Sequence, residues 1–129
     1  MIVVDTSVWI NRLHNMSTAA TRTLDTIADP RRIIVGDIVM LEVLQGARTE
    51  DMAARLESLL QRFVVVPMLS ESLALKAARN YRSLRRKGVT IRSSIDVIIA
   101  TFCIEHNHML LHDDRDFAPM AQHIGLQLI

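Results

Sequence analysis

Short runs of β-branched and aliphatic residues alternate along this chain with longer stretches in which apolar positions recur every three or four residues. The first kind of run reads as buried strand and the second as amphipathic helix. Ile2 to Asp5 opens the chain as a strand, and Val8, Trp9 and Leu13 begin a helical spacing. Ser17 stands where it can cap a helix to about Ala28, which Pro30 stops. Ile33, Ile34 and Val35 form the next apolar run, followed by Asp37 at an N-cap position before Ile38, Leu41 and Leu44, with Gly46 closing that helix. Thr49, Glu50 and Asp51 open another helix to about Gln61, and Phe63 to Val66 is a strand ended by Pro67. Ser70 caps a long helix ending at Gly88, and Ser93 or Ser94 caps one running to about His106. Met109 to Leu111 is a strand, Phe117 to His123 a helix, and Leu126 to Leu128 the last strand. Helices between consecutive strands imply crossover connections. The pattern therefore predicts α/β architecture, a three-layer α/β/α arrangement around a central, mainly parallel sheet.

In such a sheet the strands point one way, and ligands bind beyond their carboxyl ends, near the place where strand order reverses. The residues just after each strand are therefore the first to read for chemistry. Asp5 ends the first strand, while Asp113, Asp114 and Asp116 follow the strand at Met109 to Leu111. Two more acids stand out by their surroundings. Asp96 lies in Ser94-Ile95-Asp96-Val97-Ile98-Ile99-Ala100, and Glu42 in Val39-Met40-Leu41-Glu42-Val43-Leu44. A carboxylate amid such residues is costly unless a positive or hydrogen-bonding group meets it. Taken alone, Asp96 also reads as a first-turn acid favoured by the helix dipole, and Glu42 as a partly exposed helix residue. Gathered at one sheet edge, Asp5, Glu42, Asp96 and Asp114 would repel one another strongly, and a divalent cation resolves that conflict. Oxygen donors without a cysteine set or a histidine pair select a hard ion, Mg²⁺ or Mn²⁺, which points to phosphoryl or phosphodiester chemistry.

Composition narrows the partners. The chain has 129 residues, half of them hydrophobic and 22% charged, which is the length of one domain spanning 1–129. With 15 Lys and Arg against 14 Asp and Glu the formal charge is +1, so no uniform field advertises nucleic acid, membrane or an acidic partner. The single cysteine, Cys103, excludes a disulfide framework or a Cys-rich metal cage and reads as a buried thiol. The first residues lack a basic region, Val97 to Ile104 is too short an apolar run to cross a bilayer, and a cytoplasmic globular protein is expected. Charge is nonetheless divided along the chain. Between Glu71 and Asp96 there is no acid, while Lys76, Arg79, Arg82, Arg85, Arg86, Lys87 and Arg92 are all basic. Lys76, Arg79, Arg82 and Arg86 recur at helical spacing opposite Leu73, Ala77, Tyr81 and Leu84, as a stripe that phosphates can contact or as a solvated helix face. One Trp, one Tyr and three Phe offer little for base stacking, so recognition of any nucleic acid is expected to rest on its shape and phosphate geometry.

At this point the spacing is recognisable. The sequence resembles the PIN-domain ribonucleases, and most closely the VapC toxins of bacterial toxin–antitoxin pairs. The matching segments are Val3-Val4-Asp5-Thr6-Ser7-Val8-Trp9, Val39-Met40-Leu41-Glu42-Val43-Leu44-Gln45-Gly46, Ile91-Arg92-Ser93-Ser94-Ile95-Asp96-Val97-Ile98-Ile99-Ala100 and Leu110-Leu111-His112-Asp113-Asp114-Arg115-Asp116-Phe117. The resemblance implies that Asp5, Glu42, Asp96 and Asp114 form the acidic catalytic quartet, with Asp5, Asp96, Asp114 and the additional Asp116 around the metal. It assigns Thr6 or Ser7 to holding an acid or a water, and leaves Asp113 outside the site. Arg92 is placed to meet a substrate phosphate or an antitoxin carboxylate, beside Arg79, Arg82 and Arg86 on the RNA-binding surface. The implied reaction is hydrolysis of an RNA phosphodiester, of a structured RNA such as transfer RNA, by water activated on Mg²⁺ or its substitute Mn²⁺, leaving a 5′-phosphate and a 3′-hydroxyl. The implied partners are a VapB-like antitoxin, whose tail covers an apolar groove near the acids, and a second copy of the chain. His112 reads as a strand-end histidine bonded to backbone, or, beside the acidic loop, as a group for metal-free ribonuclease chemistry, for which no histidine pair is placed. Two rivals remain. An aspartyl phosphotransferase of the haloacid-dehalogenase type would need a second acid two residues after Asp5, where this chain has Ser7, and a non-catalytic PIN-like binding module would use metal for stability alone.

Overall fold

A computed structural model describes residues 1–129. β1 (Ile2–Val4) is only three residues long and wholly buried, because it runs through the middle of the sheet. β2 (Ile33–Gly36) and β3 (Val64–Val66) lie to one side of it, and β4 (Met109–Leu111) and β5 (Gln127–Leu128) to the other, in the order β3-β2-β1-β4-β5. Every pairing is parallel, with Val3 opposite both Ile34 and Leu110. The chain thus builds outward from β1 in one direction and returns to build in the other. The reversal of strand order falls beside β1, and its carboxyl end carries Asp5.

The helices form two groups. α1 (Thr6–Leu13), α2 (Ala19–Thr26), α3 (Asp37–Gln45) and α4 (Glu50–Leu60) pack among themselves, as do α5 (Glu71–Arg86), α6 (Ser94–His106) and α7 (Ala118–Ile124). One core cluster of 27 residues joins both groups to the sheet. The three-layer α/β/α arrangement is thus as expected, and the sheet is wholly parallel. α6 is its most buried helix, with Val97, Ile99, Ala100, Thr101, Phe102 and Cys103 enclosed. Burial pushes the Cys103 thiol up to about 12, so it is an inert part of the core. No helix is long and apolar enough to cross a membrane.

Local chemistry shifts several boundaries from their expected places. α1 begins at Thr6, directly after β1, because Asp5 itself caps it. Thr18 rather than Ser17 caps α2, since Thr18 and Thr21 exchange side-chain and backbone bonds in a capping box. Pro30 opens a short 3₁₀ turn, Pro30–Arg32. Gly36, not Asp37, precedes α3, and a Cβ there would collide with the Met68 sulfur. Asp37 instead accepts the Met68 amide at 3.0 Å and so ties the start of α3 to the segment after β3.

α5 and α6 are joined by a polar bond inside an apolar interface. Thr101 Oγ1 donates to the Val97 carbonyl at 2.7 Å and accepts from Asn80 Nδ2 at 2.9 Å. Thr101→Val keeps the shape and strands the Asn80 amide, which should cost about 1–3 kcal/mol. Urea unfolding should show a lower midpoint with an unchanged slope.

Candidate metal centre

Acids from four segments gather at the carboxyl edge of the sheet: Asp96, Asp114 and Asp116 are close enough to share an ion, while Asp5 and Glu42 lie outside that tight group and act on Asp96 as neighbouring charges. Asp5 arrives first, at the end of β1, where its amide donates to the Leu111 carbonyl of β4 at 2.9 Å. Its side chain turns back to cap α1: Oδ2 accepts the Ser7 amide at 3.0 Å and the Ser7 hydroxyl at 2.5 Å. Glu42 comes from the middle of α3, and its Oε1 accepts the Thr6 hydroxyl at 2.6 Å. The two hydroxyls of the opening segment therefore divide their work, Ser7 holding Asp5 and Thr6 holding Glu42. Asp114 follows β4, with Oδ1 accepting the Asp116 amide at 2.9 Å in a short 3₁₀ turn, Arg115–Phe117. His112 Nδ1 accepts the Asp114 amide at 3.2 Å, so this histidine supports backbone.

Asp96 is different. It stands in the first turn of α6, and no donor meets its carboxylate. Burial first, then Asp5, Asp114, Glu42 and Asp116 in that order, push its pKa up to about 7. The N-terminal dipole of α6 opposes this by only about 0.3–1 kcal/mol, and it loses. Asp5 is also raised by its burial, which outweighs the Ser7 bonds, and Asp114 adds repulsion. Asp96, Asp114 and Asp116 each offer an oxygen within 4.8 Å of the others. Asp116 has both oxygens taken by Arg92, at 2.9 and 2.8 Å, and that guanidinium holds its carboxyl below the ordinary range.

The donor set fits a hard divalent ion. It consists of carboxylate oxygens, and on Asp5, Glu42 and Asp114 the side-chain bonds described above use one oxygen and not the other. A half-buried, unpartnered carboxylate among like charges is what a cation would neutralise.

The basic residues are more dispersed than the stripe suggested. Arg79, Arg82 and Arg86 are exposed on α5, whereas Lys76 turns to Glu105. A groove of about 570 Å³ between α5 and α6 has Arg82 and Arg85 on its walls and Ser94, at the entry to the Asp96 helix, at its edge. Sequence reasoning gave Arg85 no special place and left Asp113 outside the site. Asp113 Oδ2 accepts from Asn11 and Thr18, residues about a hundred positions away, so periodicity carried no signal of it.

A family model described as the PIN domain matches residues 2–122. The chain therefore belongs to the PIN-domain family. Among curated proteins, Ribonuclease VapC11 of Mycobacterium tuberculosis is 31% identical over 132 aligned residues, covering 98% of this chain and 96% of that one. Within the family, then, this is a relative of the VapC ribonucleases. Among solved structures, VapBC2 of Rickettsia felis, bound to a promoter DNA fragment, superposes with a TM-score of 0.79 at 19% identity, covering 100% of this chain and 98% of that chain. VapC20 of Mycobacterium tuberculosis, described as a Sarcin-Ricin loop cleaving toxin, does so at 0.68 and 18%, covering 98% and 99%.

The shifted acids set a pH dependence. Asp96 and Asp5 hold protons more tightly folded than unfolded, so between about 3.8 and 7 the native chain binds the greater number, and stability falls as pH rises through that window. Asp116 has the opposite sign, but its pair with Arg92 is at the surface, where solvent screens it. In chelator, the melting temperature should be higher at pH 5 than at pH 7.5, and Asp96→Asn should flatten most of that slope. Mn²⁺ should raise the melting temperature more at pH 7.5 than at pH 5, because its ligands must be deprotonated.

Proposed function

We propose that this chain is the toxin of a type II toxin–antitoxin system, a cytoplasmic endoribonuclease that hydrolyses RNA phosphodiesters with Mg²⁺, or Mn²⁺ in its place. The observation that carries this reading is Asp96, an unpartnered carboxylate whose neighbouring charges are all negative except Arg92. Asp5, Asp96 and Asp114 would hold the ion, with Asp116 joining them and Glu42 acting beside it. Such an ion, when bound, acidifies a water for attack on phosphorus and neutralises charge developing on the phosphoryl oxygens.

The chain's own residues do the rest. Ser7 fixes the rotamer of Asp5, and Thr6 that of Glu42, so neither acid needs to reorganise when RNA arrives. Arg92 lies at the rim, where its exposed guanidinium can exchange Asp116 for a substrate phosphate. Arg79, Arg82 and Arg86 supply further phosphate contacts along α5, weakened by salt. A structured RNA such as transfer RNA is the substrate class we favour. The scarcity of aromatic stacking surface supports recognition by shape, and the Sarcin-Ricin loop cleaving neighbour gives one precedent.

A VapB-like antitoxin is the proposed partner, in a hetero-oligomer built on a toxin homodimer. A second groove, of about 240 Å³, runs between α1, α3 and α4 and is lined by Ile10, Leu13, Val43, Met52 and Leu56, with Glu42 in its wall. Ile10 and Met52 are exposed there, which suits an apolar antitoxin segment that ends in a cation at Glu42.

Purified protein with Mn²⁺ or Mg²⁺ should cleave transfer RNA or ribosomal RNA fragments to 5′-phosphate and 3′-hydroxyl ends, and chelator should abolish the cleavage. Asp5→Asn and Asp96→Asn should each lower turnover at least about a hundredfold, corresponding to several kcal/mol of lost charge stabilisation, while circular dichroism stays unchanged. Wild type that folds and binds Mn²⁺ yet stays inert on every RNA would favour the non-catalytic module instead.

A further inference from the structure

Asp113 lies beside the acid cluster, but its carboxylate points away into a separate set of bonds. Its Oδ2 accepts Asn11 Nδ2 at 2.9 Å and Thr18 Oγ1 at 2.7 Å. The one proton of the Thr18 hydroxyl is better placed on this carboxylate than on Thr21 Oγ1 at 3.3 Å, and Thr18 Oγ1 still accepts the Thr21 amide to cap α2. The Asp113 amide in turn donates to Ser7 Oγ at 3.0 Å, and the same hydroxyl donates to Asp5 Oδ2. One residue is therefore anchored twice, by its side chain to α1 and the start of α2, and by its backbone to the hydroxyl that holds Asp5. The next residue in the chain is Asp114.

Resting on the metal reading above, we propose that Asp113 is a positioning residue: it fixes the Asp114 loop against Asp5, so that two acids that repel each other stay close enough to share one ion. Asp5 and Asp114 do repel, since Asp114 is among the groups that raise the Asp5 pKa. Without a tether, the loop after β4 relieves that repulsion by moving outward. The β4 strand ends at Leu111, so sheet pairing does not restrain the loop. The tether consists of hydrogen bonds, and both side-chain bonds end on one oxygen. An asparagine amide oxygen can accept both of them, so geometry and charge can be separated by substitution.

Mn²⁺ alone is the probe, with free ion measured by electron paramagnetic resonance or binding by calorimetry, at a temperature where each variant is folded. Asp113→Ala should weaken Mn²⁺ binding about 10–100-fold, the range typical of groups that orient metal ligands. Asp113→Asn should restore binding to within about threefold of wild type, and Asn11→Ala, which removes one bond from the far side, should weaken it in the same direction. A merely structural Asp113 would lower the melting temperature and leave the Mn²⁺ affinity of the folded protein unchanged. Wild-type affinity in both Asp113→Ala and Asn11→Ala overturns this proposal alone. An asparagine variant as weak as the alanine one also overturns it, because charge rather than position would then be responsible. If Asp113→Ala does not fold, Asn11→Ala and Asp113→Asn decide the matter. Wild type that binds no Mn²⁺ at all overturns the metal reading, and this proposal with it.

Discussion

Mutual repulsion among acids around one half-buried carboxylate is the constraint that shapes this molecule. Asp96 feels Asp5, Asp114, Glu42 and Asp116, and no donor offsets them. Left free, such side chains would rotate apart into solvent. Each of the others is restrained instead: Asp5 by Ser7, Glu42 by Thr6, Asp114 by its own turn and Asp116 by Arg92. Asp96 itself is held by the helix behind it, whose apolar body is locked into the core. The stability given up at the rim is met by burial elsewhere, in a cluster of 27 apolar residues that reaches both helical layers.

Strand order explains why these acids can meet at all. β1 sits between β2 and β4, so the acid at its end and the acids after β4 share one rim although about a hundred residues separate them. That much was legible in the sequence. Asp5 and Asp114 follow strand-like runs, while Asp96 and Glu42 are conspicuous because their neighbours are apolar. The bonds that orient the acids were not legible. Ser7 and Thr6 could each have held an acid or a water, and only the turn from β1 into α1 decides which hydroxyl faces which carboxylate. Asp113 reads as surface variation until the fold brings Asn11 and Thr18 against it. The caps show the same limit on a smaller scale. Ser17 reads as the cap, but Thr18 takes that place because Thr21, three residues beyond it, completes a capping box.

The arginines divide along similar lines. Helical spacing identified an α5 face correctly as solvent-exposed, but spacing cannot show that Lys76 has an acidic partner on α6 or that Arg85 turns into the groove. Arg92 is the informative case. Its place before Asp96 suggested a contact to a substrate phosphate or an antitoxin carboxylate, and in the fold it grips Asp116 with two parallel bonds. Solvent screens an exposed pair of this kind, so it orders the side chains without committing them. In the proposed reading, a substrate phosphate would offer the guanidinium the same fork of oxygens, and releasing Asp116 would add a negative oxygen to the cluster.

Glu42 connects this electrostatic problem to assembly. It is both one of the charges that raise Asp96 and part of the wall of the apolar groove between α1, α3 and α4. A partner lying in that groove is guided by apolar burial to a point where a cationic side chain would meet Glu42. Such a cation would relieve part of the repulsion that raises Asp96, and would do so without supplying an acidified water. Metal and partner would therefore compete, in the proposed reading, for one source of free energy, the unbalanced negative charge at the rim. In the proposed reading, a single arrangement of acids accounts both for the ion a nuclease requires and for the way a basic partner would silence it.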